Sequence, residues 1–461
     1  MSAKTGSRAA QVSSCAAVSL CAFVLCMLSP LVQARALDAA LPPEFVAELM
    51  DFPGLTHASK LAASKAQVAK LVDLAIANSP LVREAGLITQ SSLQDIQVAK
   101  GGRLPQVSVS GLSMVNSPDV SQTTSINGQP TATVTAQLSV YDWGRIDAQV
   151  KGRESAANAS REFQQQRRID VAAEAVRSCL DLNRKKALLA VSTDYQKNVD
   201  MIFDMLRKIA DSDAGRASEL VQAKSRLLQA EYARQSALSK VSEADIILSR
   251  QLGNDQSLAC HGIYALFLDE FNLKEKINQI AQLPSIRQLD EEYQQQMLSV
   301  EQISASRKPA IKFSASYGPL STGLANYGSS LALSFSMPIF DGNTLQSSER
   351  SALEKANSVL ERKEQAVRQL DYDYKALYEQ AIDQKRIASE YTELIQVNEL
   401  VRKNFFTQWM AVGHRSLFEL LSVEAEHYSL RSAYINYLFD SMTGTAAILG
   451  KSGQLPGLTS Y

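Results

Sequence analysis

Two stretches of this chain are almost free of the residues that end helices. Arg145–Asp211 contains no proline and a single glycine, Gly152, and Thr344–Val412 contains neither. Both are rich in Ala, Leu, Glu, Gln, Lys and Arg, the strong helix formers. At 1.5 Å per residue, about 70 residues make a helix roughly 100 Å long. A globular domain does not hold such an element, so the expected packing is a coiled coil or a helical barrel. Shorter helical stretches run from Gly215 to about Leu252, from about Val68 toward Pro105, from Leu273 to Ser306 and from Leu417 to Leu449. Each is about half as long as a long helix, so two stacked end to end would cover one. Gly253 and Gly450 are expected to cap the descending helices.

The punctuation recurs, and the chain reads as a duplication. Pro80 to Pro105 spans 25 residues, as does Pro284 to Pro309. Asp142 to Gly215 spans 73 and Asp341 to Gly413 spans 72, while Gly215 to Gly253 spans 38 and Gly413 to Gly450 spans 37. Only the proline-to-aspartate interval differs, 37 against 32. That interval holds two strands and a loop. Thr131–Tyr141 alternates Ala132, Val134, Ala136, Leu138 and Val140 with Thr, Gln and Ser. Gly328–Phe340 alternates Leu331, Leu333, Phe335, Met337 and Ile339 with small or polar residues. Period-two alternation predicts strands with one apolar face. Their partners are Gln106–Val115 and Ile311–Tyr317, and the loops 116–130 and 318–327 absorb the length difference.

Charge and hydropathy remove several function classes. The chain has 47 basic and 48 acidic side chains, a net charge of −1, without the basic excess of a nucleic-acid binder. The longest nearly apolar run, Cys15–Leu28, has 14 residues. A spanning helix needs about 20, which excludes a multi-helix membrane protein but not a β-barrel. Lys4 and Arg8 before that run, with Val32-Gln33-Ala34 and Ala34-Arg35-Ala36 after it, describe a secretory signal peptide. Cleavage after Ala34 or Ala36 would leave only Cys179 and Cys260. His57, His261, His414 and His427 show no metal-ligand spacing, and no catalytic or phosphate-binding motif occurs. Neither an enzyme nor a cofactor is expected.

Four strands cannot close a membrane barrel, and an open sheet edge is not viable in lipid. Closure therefore requires several chains. Aromatic residues stand where the strands end, Tyr141, Trp143 and Phe340 on one rim and Tyr317 and Tyr327 toward the other, as in interfacial girdles.

The pattern resembles the TolC family of outer-membrane efflux and secretion ducts. The residues that carry the resemblance are Asn78-Ser79-Pro80, Arg103-Leu104-Pro105 and Tyr141-Asp142-Trp143-Gly144-Arg145 in the first half. In the second half they are Met337-Pro338-Ile339-Phe340-Asp341-Gly342 and Val412-Gly413-His414-Arg415-Ser416, and the resemblance covers roughly Ala66–Leu455. It implies a mainly α fold with a membrane β-barrel portion: a homotrimer whose twelve-stranded barrel in the outer membrane of a Gram-negative bacterium continues as a periplasmic α-helical barrel. It implies a passive duct that binds no cofactor and docks onto an inner-membrane transporter through a periplasmic adaptor protein. The hairpin turns 211–216 and 409–415 would form the periplasmic gate, with Gly215, Arg216, Glu219, Gly413, His414, Arg415 and Glu419 as its residues. Arg415 falls on the family's gate arginine and Glu419 on the first of two aperture acids, while Ser422 stands at the second. An acidic ring is correspondingly thinner. Ser416-Leu417-Phe418-Glu419 is also a helix capping box. Arg415 beside a helix N-terminus needs a carboxylate, with Asp211, Asp213 and Glu219 as candidates.

Cys179 lies 34 residues after Arg145, the midpoint of the long helix, and Cys260 just beyond a half-length helix. An oxidising periplasm permits a disulfide between them; two buried thiols are the alternative. The expected organisation is a signal peptide (1–36), an N-terminal periplasmic segment (37–65), repeat 1 (66–255), a mid-tunnel connector (256–272), repeat 2 (273–450) and a C-terminal tail (451–461). The long helices are expected at about 145–211 and 344–412. The residues Gly215–Lys224 lean toward ducts of ABC-driven, type I secretion of adhesin-like proteins. A multidrug efflux duct with a proton-driven pump is the alternative, and a periplasmic coiled-coil protein that never enters the membrane is the reading from another class.

Overall fold

A computed structural model describes residues 57–112, 131–211, 214–253, 260, 263–268, 277–319, 327–412 and 416–458. The expected signal peptide, the strand-connecting loops and Gly413-His414-Arg415 fall outside the described residues. The elements are α1 (His57–Asn78), α2 (Pro80–Gly101), β1 (Gln106–Leu112), β2 (Thr131–Tyr141), α3 (Arg145–Ala210), α4 (Ala217–Leu252), α5 (Tyr264–Leu268), α6 (Pro284–Ala305), β3 (Ala310–Pro319), β4 (Tyr327–Ser336), α7 (Thr344–Val412) and α8 (Leu417–Lys451). Helices α3 and α7 have 66 and 69 residues. Among the described residues no helix is long and apolar enough to cross a membrane.

The prolines set the helix starts differently from the sequence expectation. Pro80 and Pro284 each occupy the first helical turn, where a missing N–H costs nothing. The residue before each is extended, Ser79 with ψ 119° and Leu283 with ψ 141°. The expected helix from Val68 to Pro105 is therefore two helices, starting at His57 and broken at Ser79. The one expected from Leu273 starts at Pro284 after a 3-10 turn, Ile277–Gln282. Strand β4 likewise ends at Ser336 rather than Phe340, because Pro338 has no N–H to give the ladder.

The chain divides into two compact units. One comprises 75–173, 272–376 and 449–461 and holds the sheet. Its strands are antiparallel in the order β1-β2-β3-β4, so β2 and β3 join the two hairpins into one sheet. The register aligns side chains in rows: Val107–Ala136–Ala315–Leu331, Val109–Val134–Tyr317 and Leu138–Phe313–Leu333 on one face. The other face carries Gln106–Gln137–Ser314–Ala332 and Ser108–Thr135–Ser316–Ser330. On the apolar face Val109 and Leu333 are each 71% exposed.

Both hairpins enter their long helix through the same turn. Trp143 and Gly144 have φ of 57° and 81°, and Gly342 and Asn343 have φ of 65° and 66°. Two consecutive left-handed residues follow an aspartate in each case, with the glycine second in one repeat and first in the other. Asp142 Oδ2 accepts from Ile146 N at 2.9 Å and Asp341 Oδ2 from Leu345 N at 2.8 Å, so each aspartate caps its helix. In the same unit α8 does not end at Gly450, as expected, but at Lys451. Gly453 (φ 66°) is the residue that closes it, with Gln454 N donating to Leu449 O and Gly453 N to Gly450 O, both at 2.9 Å. Gly450 instead permits close packing, because a Cβ there would stand 2.8 Å from the Ala173 Cβ.

The second unit comprises residues up to 74, 174–271 and 377–448. Cys179 in α3 and Cys260 are joined by a disulfide with a Cα separation of 5.6 Å. Hydrogen bonds fix the connector around it. Asn183 Nδ2 donates to Cys260 O at 3.0 Å, and the buried Ser64 hydroxyl donates to Ile263 O at 2.8 Å while accepting from Leu266 N at 3.2 Å.

Candidate gate

Of the expected gate residues, Gly215, Arg216 and Glu219 lie where α3 passes to α4 and Glu419 in the first turn of α8, within the second unit, while Gly413, His414 and Arg415 fall outside the described residues. A 3-10 turn, Ala214–Arg216, precedes α4 and contains Gly215. Arg216 reaches Glu219 at 3.7 Å, a carboxylate in a first helical turn, where the helix dipole favours it. At the other turn Ser416 Oγ accepts from Glu419 N at 3.3 Å, which is the serine half of the capping box. The aromatic ends of the strands belong to the first unit. Tyr141 and Trp143 meet edge to face at 5.0 Å, Trp143 Nε1 donates to Pro309 O at 2.7 Å, and Lys308 Nζ lies 5.4 Å from the indole. Tyr317 is exposed on β3, Phe340 is exposed beyond β4, and Tyr327 opens β4 opposite Pro319.

Above the turns, α3, α4, α7 and α8 share an apolar cluster that includes Ile202, Leu206, Leu227, Trp409, Leu417 and Leu420. It ends against buried charge. Arg402 on α7 donates to both oxygens of Glu399, at 2.8 and 2.9 Å, and to Glu424 Oε1 on α8 at 3.2 Å. Asn198 of α3 donates to the other oxygen of Glu424 at 3.4 Å. His427 Nδ1 is 3.2 Å from Asn398 Oδ1, and its Nε2 is 3.6 Å from Glu399. One helical turn further, Arg431 donates to Asp194 of α3 at 3.3 Å. Glu424, His427 and Arg431 are each at most 9% exposed. Two cations thus hold α8, the half-buried Arg402 from α7 and the buried Arg431 to α3.

Burial shapes the protonation of this cluster. It pushes the Glu424 carboxyl above its ordinary range even with Arg402 beside it. It pushes the His427 imidazole down to about 4, assisted by the Arg402 charge. Burial opposes ionisation of Glu399 too, but the forked hydrogen bonds from Arg402 outweigh it and leave that carboxyl below its usual range. Sequence reading missed the cluster. Its one visible signal was spacing: Glu424, His427 and Arg431 stand at intervals of three and four, on one face of α8. Among the described residues no group of His, Cys, Asp or Glu could hold a metal ion.

Comparison with known proteins places this geometry. The family model described as outer membrane efflux protein matches residues 71–254. No curated protein matches the chain by sequence. Solved structures share the fold at low identity. VceC of Vibrio cholerae, an outer membrane protein, is 15% identical with a TM-score of 0.72 over 84% of this chain and 96% of its own. The open state of the MtrE outer membrane channel of Neisseria gonorrhoeae is 15% identical with a TM-score of 0.69 over 85% and 89%. The CmeC outer membrane channel of Campylobacter jejuni is 15% identical with a TM-score of 0.67 over 84% and 86%.

Proposed function

We infer that this chain, whose residues 71–254 match the outer membrane efflux protein family model, is one third of a passive exit duct. The sheet carries the reading. Its four strands have one apolar and one polar face, and among the described residues β1 and β4 each pair on one side only. Lipid does not tolerate such edges, and the smallest membrane barrels have about eight strands. Pairing β4 of one copy with β1 of the next satisfies both edges, and three copies give twelve strands. A periplasmic coiled-coil protein would have no use for the exposed apolar face.

The duct would be completed by a periplasmic adaptor and an inner-membrane transporter. Gly215–Lys224 favour an ABC transporter that secretes adhesin-like proteins. Drug efflux with a proton-driven pump is the second reading, favoured by the efflux description of the matching family. Arg415 is proposed to tie neighbouring hairpins and hold the gate shut. The test is fractionation followed by planar bilayers. A heat-modifiable trimer band in the outer membrane with low basal conductance supports the duct, and a soluble periplasmic monomer overturns it. Arg415→Ala should raise conductance; an unchanged value removes the gate role.

A further inference from the structure

The described strands carry a single charged side chain. It is Lys312, third residue of β3, paired with Ser139 on β2 and Ser334 on β4. The register puts it on the polar face, in the row next to Gln137 and Ser314 and opposite in sense to its neighbours Ile311 and Phe313. The β2–β3 ladder shifts register just beyond it, where Val140 of β2 is skipped and Tyr141 pairs with Ile311, while β3 itself runs on without interruption. The side chain is exposed. Two carboxylates stand at the same end of the strands, Asp142 and Asp341, and both are bound into helix caps.

The geometry points to Lys312 as the charge that makes the barrel lumen prefer anions. This rests on the duct reading, in which the apolar face meets lipid and the polar face lines the lumen. Three copies then set three ammonium groups on one ring, the other residues of the described strands being uncharged. Twelve tilted strands about 4.8 Å apart enclose a lumen of roughly 12 Å backbone radius. Charges about 10 Å from the axis act across it only where screening allows. The Debye length is about 3 Å at 1 M salt, 8 Å at 0.15 M and 30 Å at 0.01 M. Summed over three charges, the anion-to-cation preference at the axis is negligible at 1 M, about threefold at 0.15 M and on the order of twentyfold at 0.01 M. Anionic solutes would therefore leave the barrel more readily than cationic ones, and the preference would strengthen in dilute surroundings.

The test separates the barrel from the gate by bathing them in different salt. With 0.01 M KCl on the barrel side and 1 M on the gate side, gate charges are screened and barrel charges are not. Reversal potentials are measured for the native duct, Lys312→Gln and Lys312→Glu. The expected result is a loss of anion preference in Lys312→Gln and its inversion in Lys312→Glu, with the differences vanishing when the two baths are exchanged. Equal reversal potentials in three conducting variants overturn the assignment. Absence of conducting channels in every variant, native included, overturns the duct reading instead.

Discussion

His427 makes the stability of the helices packed around it depend on acidity. The folded imidazole titrates at about 4, against about 6.5 in an unfolded chain. The opened state therefore binds the proton that the closed state refuses, and opening takes up protons as pH falls. The stabilisation is fully present above about pH 6.5 and drains away as pH drops toward 4. Integrating between those two values gives a loss of about 2 kcal/mol at pH 5 and about 3 kcal/mol at pH 4. Glu424 acts in the opposite sense, since burial raises its carboxyl. Comparing the native chain with His427→Gln isolates the imidazole, because Glu399, Arg402, Glu424 and Arg431 are common to both. Hydrogen exchange of the amides around 424–431, corrected for intrinsic rates, reads the local opening free energy. Between pH 7 and pH 5 the native chain should lose about twentyfold more protection there than the variant, which is about 1.8 kcal/mol expressed as a ratio. Equal losses in both proteins would refute the argument, because they would place the folded imidazole at its ordinary value.

Arg402→Met removes the partner of the buried Glu424 and should destabilise the helical region by about 3–5 kcal/mol, seen as a fall in the urea midpoint; a change below 1 kcal/mol would contradict burial of the pair. Alkylation of the denatured, unreduced mature protein should label no thiol, because Cys179 and Cys260 are bonded. Replacing both by Ser removes the closure of an 81-residue interval, worth up to about 4.5 kcal/mol on the chain-entropy estimate. Gly450→Val places a Cβ 2.8 Å from Ala173 and should cost about 1–3 kcal/mol, whereas Gly450→Ser at unchanged stability would show that the two helices move apart freely.

The sequence was most legible where one physical rule acts alone. Runs without glycine or proline read as long helices, and strict alternation from Thr131 to Tyr141 read as a strand, because period and length left no competing structure. Ends were less legible. Pro284 and Pro338 overrode apolar patterns that continued across them. At Gly450 the residue type permitted two uses, a helix cap and a close helix contact, and only packing against Ala173 decides between them. The buried charges of α7 and α8 were hidden for a related reason. Glu424 and Arg431 look like solvated positions until α3 meets them with Asn198 and Asp194 respectively.

The β2–β3 seam has a consequence for assembly. In a twelve-stranded ring, six equivalent hairpins meet at six seams. Unduplicated half-chains would have to form every seam between separate chains. Here one seam in two is intramolecular, and the linker between hairpins fixes their effective concentration whatever the abundance of the protein. In a ring of three such chains the encounters needed fall from five to two, the last seam closing within the assembly, and each arriving chain exposes two open edges instead of the four that two separate hairpins would present. Duplication thereby shortens the interval in which unpaired strands can find the wrong partner.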